Sequence, residues 1–114
     1  MRIEIKGRNG ATVDDEIRDR IGKRFAKIGR QVSPLAELEV ELYEERNPSI
    51  KESQVAEATL HLKGITLRAG DRAETMVHAI NLVEEELFRQ VKRHREKRRK
   101  RREAAKVSPR VGTA

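Results

Sequence analysis

The repeat of apolar residues along this chain switches three times between the strand period and the helix period, and the order of those switches limits the folds open to it. Arg2-Ile3-Glu4-Ile5-Lys6 alternates, placing Ile3 and Ile5 on one side of a half-buried strand. Val13, Ile17, Ile21, Phe25 and Ile28 then recur at helical spacing and form the apolar stripe of an amphipathic helix. Ala36 to Leu42 alternates strictly, with one apolar and one acidic side. Ala56, Ala58, Leu60 and Leu62 mark a third strand, Lys63-Gly64 a two-residue hairpin turn, and Ile65, Leu67 and Ala69 a fourth strand. From Ala73 the helical period returns, with Met76, Ile80, Val83, Leu87 and Val91 on one stripe.

The punctuation between these segments is consistent with them. Gly7-Arg8-Asn9-Gly10 reads as a turn. Thr12 reads as the N-cap of the first helix, with Asp14, Asp15 and Glu16 in its first turn, where carboxylates suit the macrodipole. Gly29 and Ser33-Pro34 end that helix, Glu44 to Gln54 reads as a loop, and Gly70-Asp71 closes the fourth strand. Each strand has one apolar face and each helix one apolar stripe. The expected architecture is therefore α+β: a two-layer β-α-β-β-β-α sandwich, a four-stranded mixed sheet with both helices on one face. The connection through the first helix is a right-handed crossover, which makes the first two strands parallel if they are neighbours. The opposite face of the sheet carries Glu37, Glu39, Glu41, Glu57, Thr59, Thr66 and Arg68, an acidic surface unsuited to phosphate.

Charge divides the chain. Residues 1–91 hold 15 Lys/Arg and 17 Asp/Glu, whereas residues 92–114 hold 11 and 2. The apolar stripe of the second helix stops at Val91, yet helix-favouring Lys, Arg, Glu and Ala continue to about Ala105. The second helix should thus outrun its core and project past the sheet. One domain over residues 1–102 is expected, followed by a disordered basic tail or linker over 103–114. Without Cys the chain can form neither a disulfide nor a Cys-based zinc site, and it has no apolar run long enough to cross a membrane. The alternating N-terminus is unlike a signal peptide, so a cytoplasmic protein is expected.

Signals for catalysis are weak. His61, His78 and His94 fall on three different surfaces without a second ligand at metal-binding spacing, and no phosphate loop or nucleophile motif is present. Most carboxylates have structural explanations, Glu84-Glu85-Glu86 on a helix exterior among them. No catalytic residue, metal, cofactor or small-molecule substrate is expected. The cations are more organised. Arg20, Lys23, Lys27 and Arg30 form a ridge beside the first helical stripe, and Arg89, Lys92, Arg93, Arg95 and Lys97 begin where packing of the second helix ends. Such residues form either a solvated flank or a phosphate-tracking surface, and basic side chains on rigid helices suit duplex or folded RNA. Phe25, Tyr43 and Phe88 offer no exposed platform for base stacking, so backbone and shape recognition is expected instead.

Three segments resemble the ribosome hibernation-promoting factors, also called ribosome-associated translation inhibitors of the sigma-54 modulation type. They are Ile5-Lys6-Gly7-Arg8-Asn9, Glu57-Ala58-Thr59-Leu60-His61-Leu62-Lys63-Gly64, and Met76 through Arg98, including Ala79-Ile80-Asn81 and Gln90-Val91-Lys92-Arg93-His94-Arg95. The resemblance covers about residues 1–98. It implies a fold similar to double-stranded-RNA-binding domains, and binding to the small ribosomal subunit and its rRNA at the decoding centre. There the protein would block mRNA and A- and P-site tRNA in idle ribosomes. By position it assigns RNA contacts to Lys23, Lys27, Arg89, Lys92, Arg93, Arg95 and Lys97. Thr75 and Val77 depart from the Asp and Tyr usual in the family. The resemblance further implies a short member, or the N-terminal domain of a long one, monomeric and without the long-form dimerisation domain. The alternative is a general double-stranded RNA or DNA-binding module without ribosome preference.

Overall fold

The computed structural model describes residues 1–112, with side-chain placement described through residue 105. The order is β1 (Arg2–Arg8), α1 (Asp15–Gly29), β2 (Glu37–Glu44), β3 (Gln54–Leu62), β4 (Ile65–Ala73) and α2 (Met76–Gly112). The four strands lie in the order β1-β2-β3-β4. β1 and β2 are parallel, with Ile3 opposite Leu38 and Ile5 opposite Val40, as a crossover through α1 requires. β2–β3 and β3–β4 are antiparallel, and Leu62 faces Ile65 across the Lys63-Gly64 turn, where Gly64 takes φ +79°. The expected α+β sandwich is the one observed.

The core follows from the alternation. Leu38, Val40 and Leu42 of β2, Ala56, Ala58 and Leu60 of β3, and Leu67 and Ala69 of β4 point to one side. Ile21, Phe25 and Ile28 of α1 and Ile80, Val83, Leu87 and Val91 of α2 close over them. Val91 is the last buried residue of α2 among those described.

Several boundaries move from their expected positions. Asp14, not Thr12, caps α1: its backbone is extended and its carboxylate accepts from the Ile17 amide at 2.9 Å. Before it, Asn9 and Gly10 turn the chain with φ of 50° and 85°, and the Ala11 amide donates to the Arg8 carbonyl. Val13 then packs on the core from the connection instead of from the helix. Gly7 and Arg8 belong to β1, since Leu42 and Tyr43 of β2 continue the pairing. Gly7 is needed for contact, not for a turn: a Cβ there would stand 2.7 Å from Val13 Cγ2. Gly70 and Asp71 lie within β4, because Glu57 and Ala56 of β3 remain available to pair with them. Thr75 caps α2, its hydroxyl accepting from the His78 amide and its carbonyl from the Ala79 amide.

The backbone of α2 is helical to Gly112, past the end near Ala105 expected from the sequence. The tail expected over 103–114 falls largely on residues 106–114, which lie outside the residues whose side chains are described.

The largest departure is Glu84. Expected on the helix exterior, it is fully buried between α1 and α2. Arg24 Nε stands 3.1 Å from Glu84 Oε1, and Lys27 Nζ 3.8 Å from Oε2. Neither carboxylate oxygen has an aligned hydrogen bond, so charge alone compensates its desolvation. Arg24 Nη2 also donates to Glu85 Oε1 at 3.1 Å, and Lys27 Nζ lies 4.2 Å from the centre of the Phe88 ring.

The burial is one-sided, and so is the expected cost of breaking the cluster. Arg24→Met leaves the buried carboxylate with the more distant Lys27 alone and should destabilise the fold by about 3 kcal/mol. Glu84→Met leaves two cations that can reach water and should cost less than about 1.5 kcal/mol. Urea denaturation of both variants checks the inequality. Gly7→Ala should also lower the midpoint, by about 1–3 kcal/mol of stability, because it overpacks Val13.

Candidate nucleic-acid interface

Arg20, Lys23, Lys27 and Arg30 are all exposed on α1, as are Arg89, Lys92, Arg93, Arg95 and Lys97 on α2. The two helices run parallel: Arg24 meets Glu84, Lys27 meets Phe88, and Gln31, just past α1, accepts a bond from Arg95. Residue numbers thus rise together along the seam, bringing the C-terminal half of α1 beside the middle of α2.

The nine cations are not equivalent. Lys23 is paired with Asp19 at 3.0 Å, one turn back on α1. Lys27 is committed to Glu84 and Phe88. With Arg24 and Glu85 included, the seam itself is electrically neutral. On α2, Arg89, Arg93 and Lys97 recur every four residues and flank the Ile65–Leu67 start of β4. Lys92 and Arg95 turn the other way, toward the α1–β2 connection. None of these five has a carboxylate within ion-pair distance among the described residues. The α1 ridge is therefore partly neutralised, with no carboxylate within ion-pair distance of Arg20 or Arg30 among the described residues, and it leads into a strongly cationic arm on α2. Sequence reasoning missed Arg24, Glu84 and Glu85. A signal for Glu84 existed: it stands one helical turn after Ile80 and one turn before Phe88, at the margin of the apolar stripe.

The opposite face of the sheet also differs from expectation. The parallel register adds Arg2, Lys6 and Arg8 of β1 to it, and the β3–β4 register adds Arg72. Glu37, Glu39, Glu41 and Glu57 occupy the two central strands and Glu4 the edge strand β1, against Arg2, Lys6, Arg8, Arg68 and Arg72 on the two edge strands, so the face is balanced in charge. Arg8 pairs with Glu41 and lies 4.1 Å from the centre of the Tyr43 ring. His61 lies 3.7 Å from Glu39. These groups satisfy one another. Among the described residues no cluster of three or more His, Cys, Asp or Glu is placed to hold a metal, and no helix is long and apolar enough to cross a membrane.

The Tyr43 hydroxyl donates to Glu57 Oε1 at 2.8 Å. That hydrogen bond, then desolvation, then repulsion between the carboxylate and a phenolate hold the phenol above its usual range, while Arg8 and Arg72 oppose the shift. Because the neutral phenol is favoured in the fold, its contribution to stability is present below about pH 10 and is lost as pH rises through the folded pKa. The chain has one Tyr and no Trp, so phenolate absorbance follows a single group. Its midpoint should lie above that of a free phenol and fall in Glu57→Gln; an unmoved midpoint would show that the bond does not form in solution.

Comparison with known proteins places this geometry. The chain is 34% identical over 101 residues to the ribosome hibernation promotion factor of Lactococcus lactis subsp. cremoris, covering 83% of this chain and 50% of that protein. It is 33% identical over 97 residues to the factor of the same name from Staphylococcus aureus, covering 83% and 48%. The chain thus spans about half the length of the curated relatives it matches. Among solved structures it is similar to the Thermus thermophilus Protein Y N-terminal domain, with TM-score 0.70 and 26% identity over 82% of this chain and 99% of that one. A ribosomal subunit interface protein from Coxiella burnetii shares the fold, with TM-score 0.67 at 17% identity over 84% and 99%. Residues 3–99 match the family described as Sigma 54 modulation protein / S30EA ribosomal protein, and with the parallel helix pair, the mixed sheet and the cationic arm in place, the chain belongs to that family.

Proposed function

We propose that this chain is a non-enzymatic ribosome-binding factor of the cytoplasm, which holds rRNA of the small subunit at the decoding centre. There it excludes mRNA and A- and P-site tRNA from idle ribosomes. The observation that carries the reading is the arm: a helix continuous with the core places Arg89, Lys92, Arg93, Arg95 and Lys97, all exposed, at and beyond the last packed residue, Val91. A rigid helix fixes the spacing of its cations, which suits a folded RNA whose phosphates are themselves fixed. The relatives named ribosome hibernation promotion factor support the ribosome as the RNA and translational silencing as the outcome.

Sedimentation with purified subunits tests the proposal. The chain should co-migrate with small subunits and inhibit translation in a purified system. Equal affinity for any RNA duplex, with no preference for ribosomes, would overturn it in favour of a general duplex-binding module. The charge geometry adds a ranking. Replacing Arg89, Lys92 or Arg93 with Ala should reduce the slope of log affinity against log salt by about 0.7–0.9 each. Lys23→Ala and Lys27→Ala should reduce it less, because Asp19 and Glu84 already neutralise those charges.

A further inference from the structure

The α2 arm has a second side. Between it and the α1–β2 connection runs a groove of about 910 Å³, closed at one end by the β3–β4 hairpin. Its floor is aliphatic, with Leu35 exposed and Val32 and Leu62 half-buried beside the buried Val91. Leu35 is 89% exposed, the most exposed large apolar residue described. It is held outward by a fixed turn, in which Ser33 Oγ accepts from the Leu35 amide at 3.1 Å and the Ser33 carbonyl accepts from the Ala36 amide at 3.0 Å. The wall is Arg95, Arg98, Arg99 and Arg102. Their spacing of three, one and three puts them on one face of the helix, a continuation of the stripe that ends at Val91. Lys63 and Lys92 add to that charge, and Glu37 and Glu96 oppose it.

We infer that this groove docks an acidic amphipathic helical segment of a protein partner. Charge fixes the sign of the occupant. The floor fixes its class: exposed aliphatic side chains gain from burying other aliphatic side chains, whereas a nucleic acid would present phosphates and flat bases, and the groove offers those no Phe, Tyr or Trp, only the half-buried rings of His61 and His94. The dimensions agree. From Val91 to Arg102 the arm is about 17 Å long, equal to some three turns of a partner helix lying against it. Because the Ser33 turn already fixes Leu35, docking does not have to order the loop. Arg89, Arg93 and Lys97 lie on a different side of α2, whereas Lys92 and Arg95 border both the groove and the RNA arm, so the aliphatic floor at Leu35 is what distinguishes a peptide from RNA.

The test uses the full chain and fluorescence anisotropy with three labelled probes. One is a designed peptide of about 15 residues with Leu on one helical stripe and Glu on the flanks. The second is a scramble of the same composition, and the third an RNA duplex. The amphipathic peptide should bind on the order of tenfold more tightly than the scramble. Leu35→Ser, a substitution at an exposed side chain, should weaken the amphipathic peptide by a similar factor and leave RNA binding unchanged. Arg98→Ala combined with Arg102→Ala should weaken the peptide likewise. Equal binding of the scramble would mean attraction for polyanions alone and would overturn the proposal. Loss of RNA affinity in Leu35→Ser would also overturn it, by assigning the groove to RNA. Ribosome co-sedimentation reads the proposed function independently of every one of these outcomes.

Discussion

A four-stranded sheet with one apolar face must be covered from one side, and this chain covers it with helices that both leave strands running in the same direction. β1, β2 and β4 are co-directional, so α1, which follows β1, and α2, which follows β4, both return against them. The helices are therefore parallel, and α1 ends at the sheet edge that carries the Lys63-Gly64 hairpin, where α2 passes on. Gly29 at the end of α1 sits over Met1, while α2 continues past the same edge. The α1 macrodipole puts its negative end there, where Lys27 and Arg30 lie and Arg95 of α2 reaches across to Gln31. The location of the positive charge is in this sense a consequence of strand order.

The parts that could be read from residues alone are those with a regular period. Alternation from Leu38 to Leu42 and from Ala56 to Leu62, and the stripe from Met76 to Val91, report burial directly, because each apolar side chain that falls on the core face lowers the free energy of the same arrangement. Two kinds of information were hidden. Strand ends depend on what the neighbour offers, so Gly70-Asp71, a turn by composition, became ladder because β3 extends back to Gln54. Buried charge depends on tertiary partners: the spacing of Glu84 from Ile80 and Phe88 sets it at the margin of the apolar stripe, but only Arg24 and Lys27 across the seam make its burial tolerable. The arm cations were legible as a group, but their division between two sides of α2 appears only once β4 and the α1–β2 connection stand beside it.

The electrostatic picture is one of local cancellation and distal excess. Glu84 and Glu85 cancel Arg24 and Lys27, and the exposed sheet face sets its central carboxylates against edge-strand cations. Such paired charges contribute little field beyond a Debye length of about 8–10 Å. The arm contributes nearly all the field that a distant polyanion would feel. Affinity at long range and stability at short range are thus assigned to different residues, which leaves the fold tolerant of changes in the arm.

The helical arm also carries a tension of its own. Arg93 and Lys97, Arg95 and Arg99, Arg98 and Arg102, and Lys97 and Arg101 are like-charged neighbours one turn apart, each opposing helix formation by a few tenths of a kcal/mol, with no buried residue beyond Val91 among those described to offset them. A polyanion laid along the arm relieves that repulsion and so stabilises the helix it binds. Added salt acts on the two properties in opposite senses: by screening like charges it firms the helix, and by competing for them it weakens the hold on phosphate. Ionic strength thus separates the shape of the arm from its grip, although both arise from the same side chains.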